Sequence, residues 1–172
     1  MRRQVQPLFV LDTNVFIGAH NGYYGPDFCP AFWACILQFF HARRLISIDR
    51  VFTEIEKPVD LIQWAQDTPN GFFASSGDQP VVTVYSTIMN WVQNNSQFKP
   101  EAKSEFATVA DGWLIAYAQA HNAVVVTHEL FRPNATNRVL IPNICRQFNV
   151  PYLNTFEMLR QLGVRFVLDP TP

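Results

Sequence analysis

Three acids stand where a folded chain can use them. Asp12 closes the apolar run Leu8-Phe9-Val10-Leu11, too short for anything but a buried strand, and is followed by two small hydrogen-bonding residues, Thr13 and Asn14. Glu129 comes just after Ala123-Val124-Val125-Val126-Thr127, a β-branched run that reads as a central strand delivering Thr127, His128 and Glu129 to its C-terminal edge. Asp111 falls in the first turn of a helix whose face is Ala110, Trp113, Leu114, Tyr117, Ala118 and His121. In open α/β sheets that strand edge is where ligands bind, and acids gathered there repel one another unless a cation neutralises them. A plainer local reading exists for Asp12 and Asp111, because a carboxylate also satisfies free N–H groups at a helix start. On the helix after the second strand, Glu54 and Glu56 lie about 100° to either side of the apolar centre, so periodicity leaves both open.

The elements that must position these acids follow from the rest of the chain. Its 172 residues, 48 % hydrophobic and 16 % charged, form one domain over 1–172 with apolar surface for a sizeable core. Most of the fifteen Phe, four Trp and five Tyr are read as core. Cys29, Cys35 and Cys145 are odd in number and lack CxxC spacing, which excludes a disulfide framework or zinc knuckle and favours a reducing, cytoplasmic setting. Beyond Arg2, Arg3 and Val5 no apolar stretch is long enough for a signal peptide or membrane span. A net charge of −1 excludes a strongly cationic nucleic-acid coat. Two local basic groups remain for a phosphate track: Arg43, Arg44, Arg50 and Lys57, or Arg132 and Arg138 in a polar loop.

Strand-like and helix-like segments alternate without repeats. A loop from His20 to Pro30 leads into a helix with Phe32, Trp33, Ile36, Leu37 and Phe40 on one face, closed by Arg43-Arg44. Leu45–Ile48 is a second strand; Asp49 caps a helix in which Val51, Phe52 and Ile55 share a side, and Pro58 ends or kinks it. Leu61, Ile62, Trp64 and Ala65 make a short helix, and 68–80 is a surface loop around Phe72-Phe73. Val81–Val84 reads as a third strand before a helix with Ile88, Trp91 and Val92; Pro100-Glu101 starts another helix towards Phe106. After the 132–138 loop, Ile141-Pro142 opens a helix, Val150–Leu153 is a strand, a last helix closes at Gly163, Val164–Leu168 is a terminal edge strand and 169–172 is frayed.

Taken in order, "VLDTNVFI", "VFTEIEK", "ADGWLIAYAQA" and "VVVTHEL" resemble the PIN domain of metal-dependent ribonucleases over nearly the whole chain. Cys29-Pro30-Ala31-Phe32-Trp33 and "IPNIC" at 141–145 place the resemblance with small stand-alone prokaryotic PIN-like proteins of unassigned function, related to VapC-type toxins. The resemblance implies an α/β, three-layer Rossmann-like fold with a central, mainly parallel sheet flanked by helices. It implies Asp12, Glu54 and Asp111 as metal-site acids, Glu129 in place of the usual aspartate of a Thr-x-Asp pattern, and Asn14 and Thr127 as residues that orient the acids and the attacking water. His128 matches no catalytic position and is read as structural or exposed.

All-oxygen ligation selects Mg²⁺ or Mn²⁺ over zinc. Asp12, Glu54 and Asp111 are then direct or water-mediated ligands, with Glu129 a second-site ligand or water orienter. The function implied is a cytoplasmic endoribonuclease hydrolysing RNA phosphodiester bonds, the toxin of a type II toxin–antitoxin pair, with RNA as substrate, an antitoxin as partner and homodimerisation, for which Phe32, Trp33, Phe39 or Phe40 could supply an exposed patch without the sequence assigning one. The competing reading is a catalytically weak PIN scaffold that binds RNA or protein. A phosphatase of the DxD type is disfavoured because position 14 is Asn.

Overall fold

The computed structural model describes residues 6–168; Arg2, Arg3, Val5 and the 169–172 tail lie outside them. Five strands form one sheet in the order β3-β2-β1-β4-β5, every neighbouring pair parallel: β1 (Phe9–Leu11), β2 (Leu45–Ile48), β3 (Phe73–Ala74), β4 (Val124–Val126) and β5 (Tyr152–Leu153). Phe9, Val10 and Leu11 are fully buried, as a strand covered on both faces must be. Val10 stands opposite Ile46 on one side and Val125 on the other, so the apolar runs legible in the sequence are the sheet's centre.

Parallel strands need crossovers, and helices supply them. Between β1 and β2 run α1 (Thr13–Gly18), a π-helical turn (Ala19–Tyr23) and α2 (Pro30–His41); α3 (Asp49–Glu54) and α4 (Val59–Gln66) lead to β3. The return to the other half of the sheet uses α5 (Gln79–Asn94), α6 (Pro100–Thr108) and α7 (Asp111–Ala120), and α8 (Ile141–Gln147) joins β4 to β5 before α9 (Thr155–Gln161). With right-handed crossovers, winding outward from β1 in both directions puts the two sets of helices on opposite faces. The result is the α/β fold with a parallel sheet between helices that the sequence implies.

Four segments differ from expectation. Val81–Val84 is helix, not strand: Pro80 lies in the first turn of α5, and Val81, Ile88 and Val92 are buried at helical spacing, which overrides β-branched composition. The third strand is instead Phe73–Ala74, inside the supposed surface loop; Phe72 is fully buried there, tucked in as expected. Part of the expected His20–Pro30 loop is helical, as α1 runs on into the π-helical turn. Among the described residues Val164–Leu168 joins no strand: Val164 packs against the core and its N–H donates to the Leu159 carbonyl at 3.0 Å, Phe166 lies with its ring centroid 5.7 Å from that of Tyr24, and Val167 and Leu168 are exposed.

The core continues into an aromatic cluster beside α1. Phe16 lies 5.6–6.2 Å from the rings of Trp64, Phe72 and Phe73. Phe32 and Trp33 are buried in the monomer, which removes them as the dimer patch expected from sequence; Phe39 and Phe40 are partly buried. Among the described residues no helix is long and apolar enough to cross a membrane.

Candidate metal centre at the sheet switch point

The strand order reverses between β1 and β4, and the ends of those strands carry Asp12 and Thr127-His128-Glu129. That reversal opens a crevice beyond the strand ends. Here it is a cleft of about 900 Å³ lined by Asp12, Glu54, Glu56, Asp111, Glu129 and Arg138, with Thr13, Asn14 and His128 among its other walls.

Asp12 is buried and held at both oxygens. Oδ1 accepts the Thr13 N–H at 2.7 Å, capping α1, and Oδ2 accepts the Thr127 hydroxyl at 2.8 Å. Thr127 Oγ1 also accepts Asn14 Nδ2 and the Glu129 N–H, each at 3.1 Å. A hydroxyl has one proton and two acceptor lone pairs, so Thr127 is saturated and its proton is committed to Asp12. Asn14 Oδ1 accepts the His128 N–H at 3.0 Å, locking the ends of β1 and β4 together.

The two glutamates are anchored at helix starts. Glu54, the last residue of α3, accepts the Thr13 hydroxyl on one oxygen and the Ala110 N–H at 2.6 Å on the other, so it supplies the acceptor at the foot of α7. Glu56 lies beyond α3, exposed on the rim, and only Glu54 is built into the network. Glu129 accepts the Ile141 N–H at 2.7 Å at the start of α8 and Arg138 Nη2 at 3.2 Å. Asp111 differs from both: it is the first residue of α7, its side chain does not cap that helix, and among the described residues its carboxylate accepts no hydrogen bond. The capping explanation therefore holds for Asp12 and fails for Asp111.

The acids feel one another. Burial, opposed by the Thr127 hydrogen bond and assisted by the charges of Glu129 and Glu54, pushes Asp12 up from 3.8 to about 7. Burial, and then the charges of Asp12, Glu129 and Glu54, hold Asp111 well above the usual carboxylate range, with Arg138 pulling it back. His128 is half-buried, lowered by that burial, and shares a 2.9 Å hydrogen bond between Nε2 and Thr155 Oγ1, as a structural residue would.

A hard dication suits this donor set in kind: the cleft offers carboxylates, and Asp111 is uncommitted to the protein. The set is not closed. Among the described residues no three acid, imidazole or thiol groups stand together as a ready cation cage; Asp12, Glu54 and Glu129 each have both oxygens accepting a protein donor, which leaves one lone pair on each oxygen.

Sequence reasoning missed the roles of Thr13, which ties Glu54 to the Asp12 turn, and of the Arg138 ion pair. The first basic group is dispersed: Arg43 and Arg44 precede β2 at the opposite edge of the sheet, and Arg50 lies 4.7 Å over the Trp113 ring.

Residues 9–166 match a family described as a domain of unknown function, DUF4411. The chain belongs to the DUF4411 family. No curated protein matches it. Among solved structures, the DUF4411 chain is similar to the crystal structure of FitAcB from Neisseria gonorrhoeae, with a TM-score of 0.50 and 16 % identity over 87 % of this chain and 99 % of that one. At that identity the likeness concerns the fold, which is PIN-like.

Proposed function

We propose that this DUF4411 chain is a Mg²⁺- or Mn²⁺-dependent endoribonuclease that hydrolyses RNA phosphodiester bonds. The observation carrying the proposal is Asp111, whose carboxylate has no protein partner among the described residues and shares one cleft at the sheet's switch point with Asp12, Glu54 and Glu129. Asp111 would hold the cation directly, and Asp12, Glu54 and Glu129 would reach it through a remaining carboxylate lone pair or through water. A bound dication would lower the pKa of a water and stabilise the departing oxyanion. Thr127 and Thr13 fix the Asp12 carboxylate so that it cannot turn from the cleft, and Asn14 holds the β4 end against it. Asp111 is free to orient the attacking water. The products expected are a 5′-phosphate and a 3′-hydroxyl.

A toxin role in a type II toxin–antitoxin pair is part of this proposal, supported by the PIN-like fold and the resemblance to VapC-type toxins. Cleavage of total RNA or tRNA in Mg²⁺ and Mn²⁺ tests the activity. Asp12→Asn and Asp111→Asn should each lower the rate by a factor on the order of 10² or more; wild type cutting no faster than either variant removes the proposal.

The engagement of Glu54 and Glu129 favours a second reading, a PIN scaffold that binds RNA or protein with a weak metal site. Calorimetric titration with Mn²⁺ separates the two: the nuclease gives heat that Asp111→Asn abolishes, the scaffold gives none.

A further inference from the structure

The loop between β4 and α8 has no regular structure, yet its backbone is pinned. Asn143 accepts the Arg132 N–H at 3.2 Å and donates to the Arg132 carbonyl at 2.7 Å. Gln97 Nε2 donates to the carbonyls of Pro133 and Ala135, both at 2.9 Å, and the Lys99 N–H donates to Thr136 O at 3.0 Å. Arg146 lies 3.9 Å over the Phe131 ring at the loop's base. Carbonyls of four loop residues are thus spent on shape.

The pinned loop encloses a second cleft of about 830 Å³, within the roughly 300–1,000 Å³ of ordinary ligand clefts. Its lining pairs apolar Leu130, Phe131 and Pro133 with Arg132, Asn137 and Arg138. His128, Glu129 and Arg138 line both clefts, so the two adjoin across these residues. Arg138 sits at the junction, paired with Glu129. The Arg132 guanidinium is exposed and has no acid partner among the described residues.

We infer that this second cleft is a nucleotide subsite holding the single-stranded RNA residue next to the scissile phosphate. Arg132 takes that residue's phosphate, and the Leu130, Phe131 and Asn137 side chains take its base. A charged, flexible strand needs both an unpaired cation and an apolar wall that tolerates any base, and the cleft offers both beside an acidic centre that would otherwise repel phosphate. The inference rests on the nuclease reading for its choice of ligand, and its test is separable from that reading.

The probe is an end-labelled single-stranded RNA 10-mer, titrated by fluorescence anisotropy in Mg²⁺ against full-length chain carrying Asp12→Asn, with and without Arg132→Gln. Arg132→Gln should raise Kd about tenfold and reduce the salt slope by about 0.7, with Arg132→Lys recovering part of the loss. In the cleaving protein the same substitution should raise KM and leave kcat within about twofold. Unchanged Kd, slope and KM in Arg132→Gln overturn the subsite while leaving cleavage standing. Arg132-dependent binding in a protein that never cuts keeps the subsite and removes the nuclease. Duplex DNA bound as tightly as the 10-mer through Arg132 overturns the single-strand assignment.

Discussion

Asp12 keeps its proton in the folded chain until about pH 7, whereas the unfolded chain releases it near 3.8. Between those values the folded state binds more protons, so metal-free stability falls as pH rises and levels off once both states are ionised. Asp111, also raised, works in the same direction. Each pH unit in that window costs at most about 1.4 kcal/mol per group. The metal-free protein is therefore expected to melt at a lower temperature at pH 7.5 than at pH 5.5. Added Mn²⁺ should raise Tm at pH 7.5 far more than at pH 5.5, and Asp12→Asn should flatten both dependences. Scanning calorimetry at the two pH values checks this; a Tm that climbs from pH 5.5 to 7.5 without metal contradicts it. At this scale the sequence was informative about Asp12 and Asp111 but silent about how differently they are held. The side-chain partner of Asp12, Thr127, lies 115 residues further along the chain, and among the described residues Asp111 has none.

The elements carrying the acids depend on packing behind them. α1 presents Asp12, Thr13 and Asn14 on one side and buries Phe16 against Trp64, Phe72 and Phe73 on the other. Phe72→Ala should cost about 3–5 kcal/mol, the usual range for removing a fully buried phenyl ring, read as a lower urea midpoint with an unchanged m-value. A loss below about 1 kcal/mol would mean that the cluster collapses around the gap. The same cluster shows why β3 escaped sequence reading. Phe73–Ala74 is two residues long, too short for any periodic signal, and becomes a strand because Ser47 N–H finds the Phe72 carbonyl at 2.9 Å. Val81–Val84 failed in the other direction: its helical spacing towards Ile88 and Val92 was present in the sequence but outweighed by β-branched composition.

The whole molecule carries a net charge of −1, and among the described residues lining the two clefts the only cations are Arg132 and Arg138, the latter already paired. Its affinity for RNA should accordingly be modest and weakly salt-dependent. With about 0.7 per phosphate neutralised on a single strand, a plot of log K against log salt should have a slope no steeper than about −1.5; a slope near −5 would reveal a second basic surface. Sequence alone determined where β1 and β4 end and that Asp12, Asp111 and Glu129 stand at those ends or at a helix start, because burial of a short apolar run and the chemistry of the residue that stops it are local matters. Only the tertiary structure chose Glu54 over Glu56, tied Glu129 to Arg138 and the foot of α8, and left Asp111 without a partner. Those outcomes turn on donors 56 residues from Glu54 and 12 from Glu129, brought near by the parallel sheet reversing its order between β1 and β4, which no local pattern encodes.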